Sequence, residues 1–148
     1  MKRIKYLLLC ITVAIMGVSA FRLSGMEPQD SRKLSINLEA SGTKRPPQTI
    51  AHHIIGSGQR AKPARDILEK HKIDIDSHVN GVFLPNGTKS KAPGHLHLGR
   101  HTNEYIDRVN ADIIRADRMG GKTAVLKQLE MIRTQLLNKT YTPLQKIE

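Results

Sequence analysis

Residues 49–55 read TIAHHII, and this stretch decides the fold. Its β-branched residues favour a short strand, which the turn residues Gly-Ser-Gly at 56–58 bring to an end. Neighbouring residues of a strand point to opposite faces, so His52 and His53 cannot both be ordinary core residues of a two-sided strand. The pair is therefore suited to a site in which one imidazole faces a metal and the other faces a substrate.

A second group of histidines lies in residues 94–101, GHLHLGRH. His97 and His101 are four residues apart at the start of a predicted helix, a spacing that places both imidazoles on one helical face. Such a pair can bind one cation, and a third imidazole from the strand gives three neutral ligands with open positions, as in catalytic zinc sites. No acid lies near these histidines in the sequence, so zinc, nickel, cobalt or manganese is favoured over magnesium.

The charge distribution supports an anionic partner. The chain has 148 residues, enough for one ordinary domain, with 24 Lys plus Arg against 13 Asp plus Glu. Three of those cations lie in residues 1–20, so the rest of the chain carries 21 minus 13, or +8. All of this excess lies in two windows without acids, between Glu39 and Asp66 and between Asp76 and Glu104. We therefore expect nucleic-acid contacts from residues of these windows, against the alternative of a solvated basic surface. The candidates are Arg60, Lys62, Arg65, Lys89, Lys91 and Arg100.

Composition excludes several classes of protein. The chain has one Cys, no Trp, three Tyr and two Phe. A disulfide scaffold and a thiolate zinc finger are impossible with one cysteine. So few aromatic side chains also argue against a base-stacking platform of the kind that single-strand binders use.

The N-terminal residues of the chain predict export. Residues 1–20, MKRIKYLLLCITVAIMGVSA, have the basic start, apolar run and small final residues of a secretory signal peptide, with cleavage after Ala20. A retained anchor is the alternative, although the apolar run is shorter than the ~20 residues of a spanning helix. We expect a secreted, periplasmic or envelope protein.

The rest of the chain is predicted to have three parts. Residues 21–48 predict a flexible linker, 49–138 the folded domain and 139–148 a C-terminal tail.

Within the domain, periodicity and turn residues predict a short helix, two extended segments and two longer helices, at 63–71, 73–75, 79–84, 102–116 and 123–137 respectively. Gly120-Gly121 separates the last two, which we expect to pack as a hairpin that supports the site. These elements predict an α+β fold.

Four stretches of the domain match a known pattern, in order: AHHI at 51–54, ARDILEKHKIDI at 64–75, NGVFLP at 80–85 and HLGRHTNEYIDRVN at 97–110. They resemble the AHH nucleases, a branch of the HNH and endonuclease VII group with the ββα-metal (His-Me finger) fold. These are best known as toxin domains of bacterial polymorphic toxin systems. The resemblance implies a small ββα-metal core with additional packed C-terminal helices, and a metal-dependent endonuclease that hydrolyses phosphodiester bonds.

The resemblance also implies a role for each matching residue. His52 is implied to bind the metal together with His97 and His101, and His53 to be the general base that activates water. Asn80 matches the central Asn whose side chain holds the intervening loop in shape, against the alternative of a plain turn.

The implied cofactor is one divalent metal ion, and the implied partner is nucleic acid, DNA rather than RNA. A basic loop that contacts the backbone without reading bases gives little sequence specificity. His95 remains open between an extra metal ligand and a phosphate contact.

Other functions stay open beside the nuclease. One is a non-catalytic nucleic-acid- or metal-binding exported protein, and another is an envelope protein whose basic windows bind anionic polymers. AHH domains commonly end long multidomain toxins, whereas this one follows its own predicted signal peptide, so toxin and scavenging nuclease are both expectations. A toxin requires a neutralising partner, for which an acidic immunity protein over the basic windows fits the electrostatics. No stable membrane partner is expected once the signal is removed.

Overall fold

The structure is a computed structural model that describes residues 29–141 as three helices and one two-stranded antiparallel sheet. The elements, in chain order, are α1 (Ser31–Ala40), β1 (Thr49–His53), α2 (Lys62–Lys70), β2 (Gly81–Pro85) and α3 (Asn103–Leu137). The predicted signal peptide and the residues after 141 lie outside the described part. Within residues 29–141, no helix combines the length and apolar character needed to cross a membrane.

The sheet separates two packed layers. Its register pairs Ala51 with Phe83, His52 with Val82 and His53 with Gly81. Ala51 and Phe83 form a small cluster with α1, whereas Val82 belongs to the main core with α2 and α3. His52 and His53 consequently lie on opposite faces of β1, as their positions on one strand require.

The long helix α3 is a helical hairpin. Gly120 (φ −161°, ψ 19°) and Gly121 (φ +56°, ψ −143°) break the helical backbone between the arms 103–119 and 122–137. The chain then returns so that the rings of Tyr105 and Tyr141 lie 5.8 Å apart, centroid to centroid. The predicted break and hairpin are confirmed, and the α+β class with a strand pair and packed C-terminal helices is confirmed with them.

The prediction of a flexible linker over 21–48 is wrong for residues 31–40, which form α1. The Asp30 side chain caps the helix by accepting hydrogen bonds from the backbone N–H groups of Arg32 and Lys33. Leu34 and Leu38, one turn apart, are buried against the sheet. The helix has only these two core residues, and two residues are too few to give a sustained apolar period in the sequence.

The segment before β2 also differs from expectation. Residues 73–75 lie in a loop rather than an extended segment, and His78–Asn80 form a single 3₁₀ turn, so that β2 begins at Gly81. The physical reason is Asn80, whose side-chain amide donates to the carbonyl of Ile75 and so draws this loop together. The predicted helix over 63–71 is confirmed as α2.

Candidate active site

Three of the predicted ligands meet on the core side of β1. His52 comes from the strand, His97 from the loop after β2 and His101 from the residue before the cap of α3. One nitrogen of each ring lies within 4.8 Å of the others, and His52 Nδ1 is 3.3 Å from His101 Nε2. His52 is buried, while the other two are half-buried and line a cleft.

The reason that His97 and His101 meet differs from the predicted one. They do not share a helical face, because α3 begins only at Asn103, after the cap residue Thr102. Both lie in the preceding loop, where Gly99 has φ +125°, a conformation that favours glycine. The backbone N–H of His97 donates to the carbonyl of Pro85 (2.8 Å), which fixes the start of this loop to the sheet.

A tyrosine sets the orientation of His52. The Tyr105 hydroxyl donates to the carbonyl of Ile54 (3.0 Å), so its oxygen accepts a hydrogen bond from His52 Nε2 (3.2 Å). Because Nε2 then carries the proton, Nδ1 presents its lone pair to the cluster. Tyr105 is buried in the core, and its hydroxyl also fixes the tautomer of His52.

The cluster favours neutral imidazoles. Burial, followed by repulsion from His101, His97 and His53, holds the pKa of His52 well below its usual range. Burial likewise lowers the pKa of His97. Burial and then the neighbouring histidines lower the pKa of His101 to about 4. Neutral imidazole is the form that binds a metal.

The residues present fit a bound divalent metal. His97 Nδ1 is buried and has no hydrogen-bond partner in the described part of the chain, an arrangement that costs about 1–3 kcal/mol unless something binds there. Two nitrogens bound to one tetrahedral zinc at 2.0–2.1 Å are about 3.3 Å apart. The separation of His52 Nδ1 and His101 Nε2 has this value. The third nitrogen lies within 4.8 Å of these two, so the three imidazoles form a candidate ligand set for one ion that would leave open coordination positions.

On the other face of β1, His53 contacts a carboxylate. His53 Nε2 lies 2.8 Å from Asp76 Oδ1, and the two residues are 4% and 1% exposed. The same oxygen accepts the backbone N–H of Asp30 (2.9 Å), and Lys33 Nζ lies 3.4 Å from Asp76 Oδ2. The sequence did not indicate this carboxylate, because Asp76 is 23 residues from His53 along the chain and only the fold brings the two together.

Asn80 holds the loop after β1. Its Oδ1 accepts the backbone N–H of Ile55 (2.9 Å), and its Nδ2 donates to the carbonyls of Ile55 (3.0 Å) and Ile75 (2.8 Å). The side chain is fully buried, with its donors and acceptor satisfied by backbone groups. This placement is the one that a loop-orienting role requires.

Three of the six candidate nucleic-acid contacts are already engaged. Arg60 makes two hydrogen bonds to the carboxylate of Asp107, and Lys62 pairs with Asp66. Arg65 is buried and donates from Nη1 to carbonyls of the 56–58 turn. The predicted nucleic-acid contact does not fit this placement of Arg65, which serves the loop instead.

The other three candidates, Lys89, Lys91 and Arg100, are exposed and make no ion pair with any described residue. We call them the rim cations. Arg100 lines the cleft of the histidines, and the two lysines line a separate groove with the prolines of residues 46–47.

His95 is not part of the cluster. Its Nε2 lies 3.0 Å from the carbonyl oxygen of Tyr141, and its backbone N–H donates to the carbonyl of Leu136. It therefore joins the loop to the end of α3, a placement that fits neither a metal ligand nor a phosphate contact.

The two faces of β1 open onto one cleft of about 500 Å³. Its walls include His52, His53, the 56–58 turn and the 97–101 loop, while Gln29 and Ser31 close the side next to α1. The histidine cluster and His53 thus line the same space.

Sequence reasoning missed two residues of this site. Asp76 had no detectable spacing to His53, because their contact depends on the path of the loop before β2. For Tyr105 the one available signal was its closeness to His101 in the sequence, four residues away, and its ring lies 4.9 Å from that imidazole.

Comparison with known proteins agrees with this geometry. A model of the AHH family matches residues 34–137, more than two thirds of the chain, and describes a nuclease family of the HNH/ENDO VII superfamily with conserved AHH. The match includes Leu34 of α1, the helix that the sequence reading had assigned to a linker. No curated protein and no solved structure matches the chain.

Proposed function

Because the chain belongs to the AHH family of HNH/ENDO VII nucleases, we propose that it is a metal-dependent endonuclease that cuts DNA with little sequence specificity. One observation carries the proposal. Adjacent residues of β1 place His52 in a three-imidazole cluster and His53 beside a carboxylate, with both lining one cleft. A ligand set and a base directed at one space are what hydrolysis of a phosphodiester requires.

His53 is the proposed general base. Burial lowers its pKa, while the hydrogen bond and charge of Asp76 act in the opposite direction, so the imidazole is neutral near pH 7. A neutral imidazole can take a proton from water aligned behind the scissile phosphorus.

His52, His97 and His101 are the proposed metal ligands. A bound divalent ion supplies positive charge that offsets the negative charge developing on the phosphate and the leaving oxygen. Three imidazoles without a carboxylate favour zinc, nickel, cobalt or manganese over magnesium.

The rim cations are the proposed contacts to the nucleic-acid backbone. They are exposed, and they make no ion pair among the described residues, in contrast to Arg60 and Lys62. Backbone contacts of this type bind without reading bases. DNA rather than RNA is the proposed substrate, because that is the partner implied by the resemblance to the AHH nucleases.

We further propose that the nuclease is exported by residues 1–20 and acts outside the cytoplasm as a toxin or a scavenging enzyme. The three-part layout of those residues supports export. A toxin needs neutralisation in the producing cell, and an acidic immunity protein that covers the exposed cations is the partner that fits.

The test is cleavage of plasmid DNA and of RNA by the purified protein with zinc, nickel, cobalt, manganese or magnesium. We expect metal-dependent nicking of DNA, and a fall of roughly 10²–10⁴-fold in rate for His53→Ala, because the base is lost. His78→Ala, a histidine outside the site, serves as the matched control. Parental rates from His53→Ala rule out the base assignment.

The outcomes separate the alternatives. Metal binding and salt-sensitive DNA binding without cleavage under any metal favour the non-catalytic module. A His101→Ala protein that keeps the parental metal affinity contradicts the ligand set.

A further inference from the structure

We propose that Asp76 is a positioning residue that fixes the orientation and tautomer of His53, and that the start of α1 holds this carboxylate in place. The inference rests on the proposed function for the role of His53 as base. It adds a residue outside the AHH motif and makes residues 29–34 part of the catalytic apparatus.

The first step is the hydrogen bond itself. His53 Nε2 is 2.8 Å from Asp76 Oδ1, and both side chains are almost fully buried. A carboxylate accepts hydrogen bonds, so Nε2 carries the imidazole proton and Nδ1 keeps the lone pair. Only the nitrogen with the lone pair can receive a proton from water. Asp76 therefore selects which nitrogen of His53 is basic.

The second step is the fixing of Asp76. Its Oδ1 also accepts the backbone N–H of Asp30 (2.9 Å), and Lys33 Nζ lies near both Asp76 Oδ2 (3.4 Å) and Asp74 Oδ2 (2.9 Å). The backbone N–H of Asp76 donates to Asp74 Oδ1 (2.8 Å). A buried carboxylate is costly unless it is paired and hydrogen-bonded, and here α1 provides those partners.

The third step is the attachment of α1 to the strand that carries His53. Gly81 pairs with His53 in the sheet, and a Cβ atom on Gly81 would lie 2.5 Å from Leu34 Cδ1. The glycine thus lets Leu34 reach the sheet beside the base. The Gln29 side chain also accepts the backbone N–H of Ser57 (2.7 Å), which joins the segment before α1 to the loop after β1.

The test uses Asp76→Asn, which keeps the size of the side chain and removes its charge. The matched control is Asp112→Asn, since Asp112 is also a buried carboxylate but bonds Tyr141 and contacts no histidine in the described structure. Long-range ¹H–¹⁵N NMR of the zinc-loaded full chain reports the tautomer of His53 without requiring activity.

We expect His53 to be a single Nε2–H tautomer in the parent and in Asp112→Asn, and to shift toward Nδ1–H in Asp76→Asn. Plasmid cleavage by Asp76→Asn should show a kcat lower by roughly 10²-fold or more, with KM and zinc affinity within about threefold of the parent. A general loss of structure would change KM and zinc affinity as well as kcat, so a fall in kcat alone indicates a positioning role.

An Nδ1–H tautomer in the parent overturns the inference, and this reading needs no variant to fold. An unchanged tautomer together with unchanged kcat in Asp76→Asn overturns it as well. If the parent cuts no nucleic acid, the proposed function fails, while the tautomer of His53 still decides whether Asp76 positions it.

Discussion

At the scale of single residues, the orientation of the proposed metal ligand His52 depends on a buried tyrosine. Tyr105 donates to a backbone carbonyl and accepts from His52, so the imidazole has one orientation and one tautomer. Hydrogen bonds of this kind to metal-binding histidines affect affinity even though they lie behind the ligand. The other core tyrosine, Tyr141, donates to Asp112 and not to a histidine.

We predict that Tyr105→Phe lowers zinc affinity by roughly 10–100-fold, because His52 Nε2 loses its acceptor and the ring is free to change tautomer. Calorimetric titration or competition with a chelator measures the change. Tyr141→Phe is the control, since the Tyr141 hydroxyl donates to Asp112 and not to a histidine. Equal zinc affinity for Tyr105→Phe and the parent contradicts the role of this hydroxyl.

The lowered pKa of His101 gives a second prediction at this scale. The pKa is about 4 in the folded metal-free protein and ~6.5 in an unfolded chain. Between those values the unfolded chain binds a proton that the native state does not. The free energy of unfolding should therefore fall as pH drops through this window, by at most about 3 kcal/mol for this group, and level off below it.

Urea denaturation of the metal-free protein between pH 7 and 4 measures the slope. His101→Asn should depend less steeply on pH than the parent, because it lacks the group that titrates. His78→Asn should keep the parental slope. A slope in His101→Asn as steep as that of the parent assigns the pH dependence to other groups.

At the scale of secondary-structure elements, α1 carries more of the site than its sequence indicated. Only Leu34 and Leu38 of this helix are buried, and the apolar Ile36 between them is exposed, so the sequence shows no sustained apolar period. Its stability comes from tertiary contacts with Ala51 and Phe83, which no local pattern reports. Residues 31–40 were consequently assigned to the predicted linker.

We predict that Leu34→Ala destabilises the protein by about 2–5 kcal/mol, because Leu34 is fully buried and its removal leaves a cavity beside Gly81. Ile36→Ala on the same helix, where the side chain is 60% exposed, should stay within about 0.5 kcal/mol. Chemical denaturation of the two variants and the parent gives both values. Similar values for the two would mean that α1 does not pack on the sheet.

The other elements were readable because their patterns are local. β1 follows from β-branched residues and a glycine turn, and the break in α3 follows from two consecutive glycines. The spacing of His97 and His101 predicted that these two side chains lie close together, although a loop and not a helical face unites them. The choice of His52 as the third proposed ligand came from the family resemblance. What stayed hidden was the contact of His53 with Asp76, because it depends on a loop closed by the buried side chain of Asn80.

At the scale of the whole molecule, the surplus positive charge divides into engaged and free groups. In the first window without acids, Arg60 and Lys62 are ion-paired and Arg65 is buried. In the second window, the three rim cations are exposed and unpaired among residues 29–141. Similar exposed charges lie near the break and on the second arm of α3, and we call these the tip cations: Arg118, Lys122 and Lys127.

The three tip cations carry the same charge as the three rim cations, so replacing one set or the other changes the net charge equally. The first arm of α3, residues 103–119, separates His101 from the break, and its 17 residues at 1.5 Å per residue span roughly 26 Å. A long-range attraction that depends only on net charge treats the rim and tip cations alike. Direct contact with phosphates distinguishes them.

We predict that replacing all three rim cations with Gln weakens DNA binding and makes its salt dependence less steep. Each lost phosphate contact reduces the slope of log K against log salt by roughly 0.9, so up to about three contacts are lost. Replacing the three tip cations removes the same charge and should leave the slope close to the parental one. Fluorescence anisotropy with a duplex over a range of salt concentrations measures both, on proteins carrying His53→Ala so that the DNA stays intact. Equal losses of slope in the two triple variants contradict an interface that is localised at the rim cations.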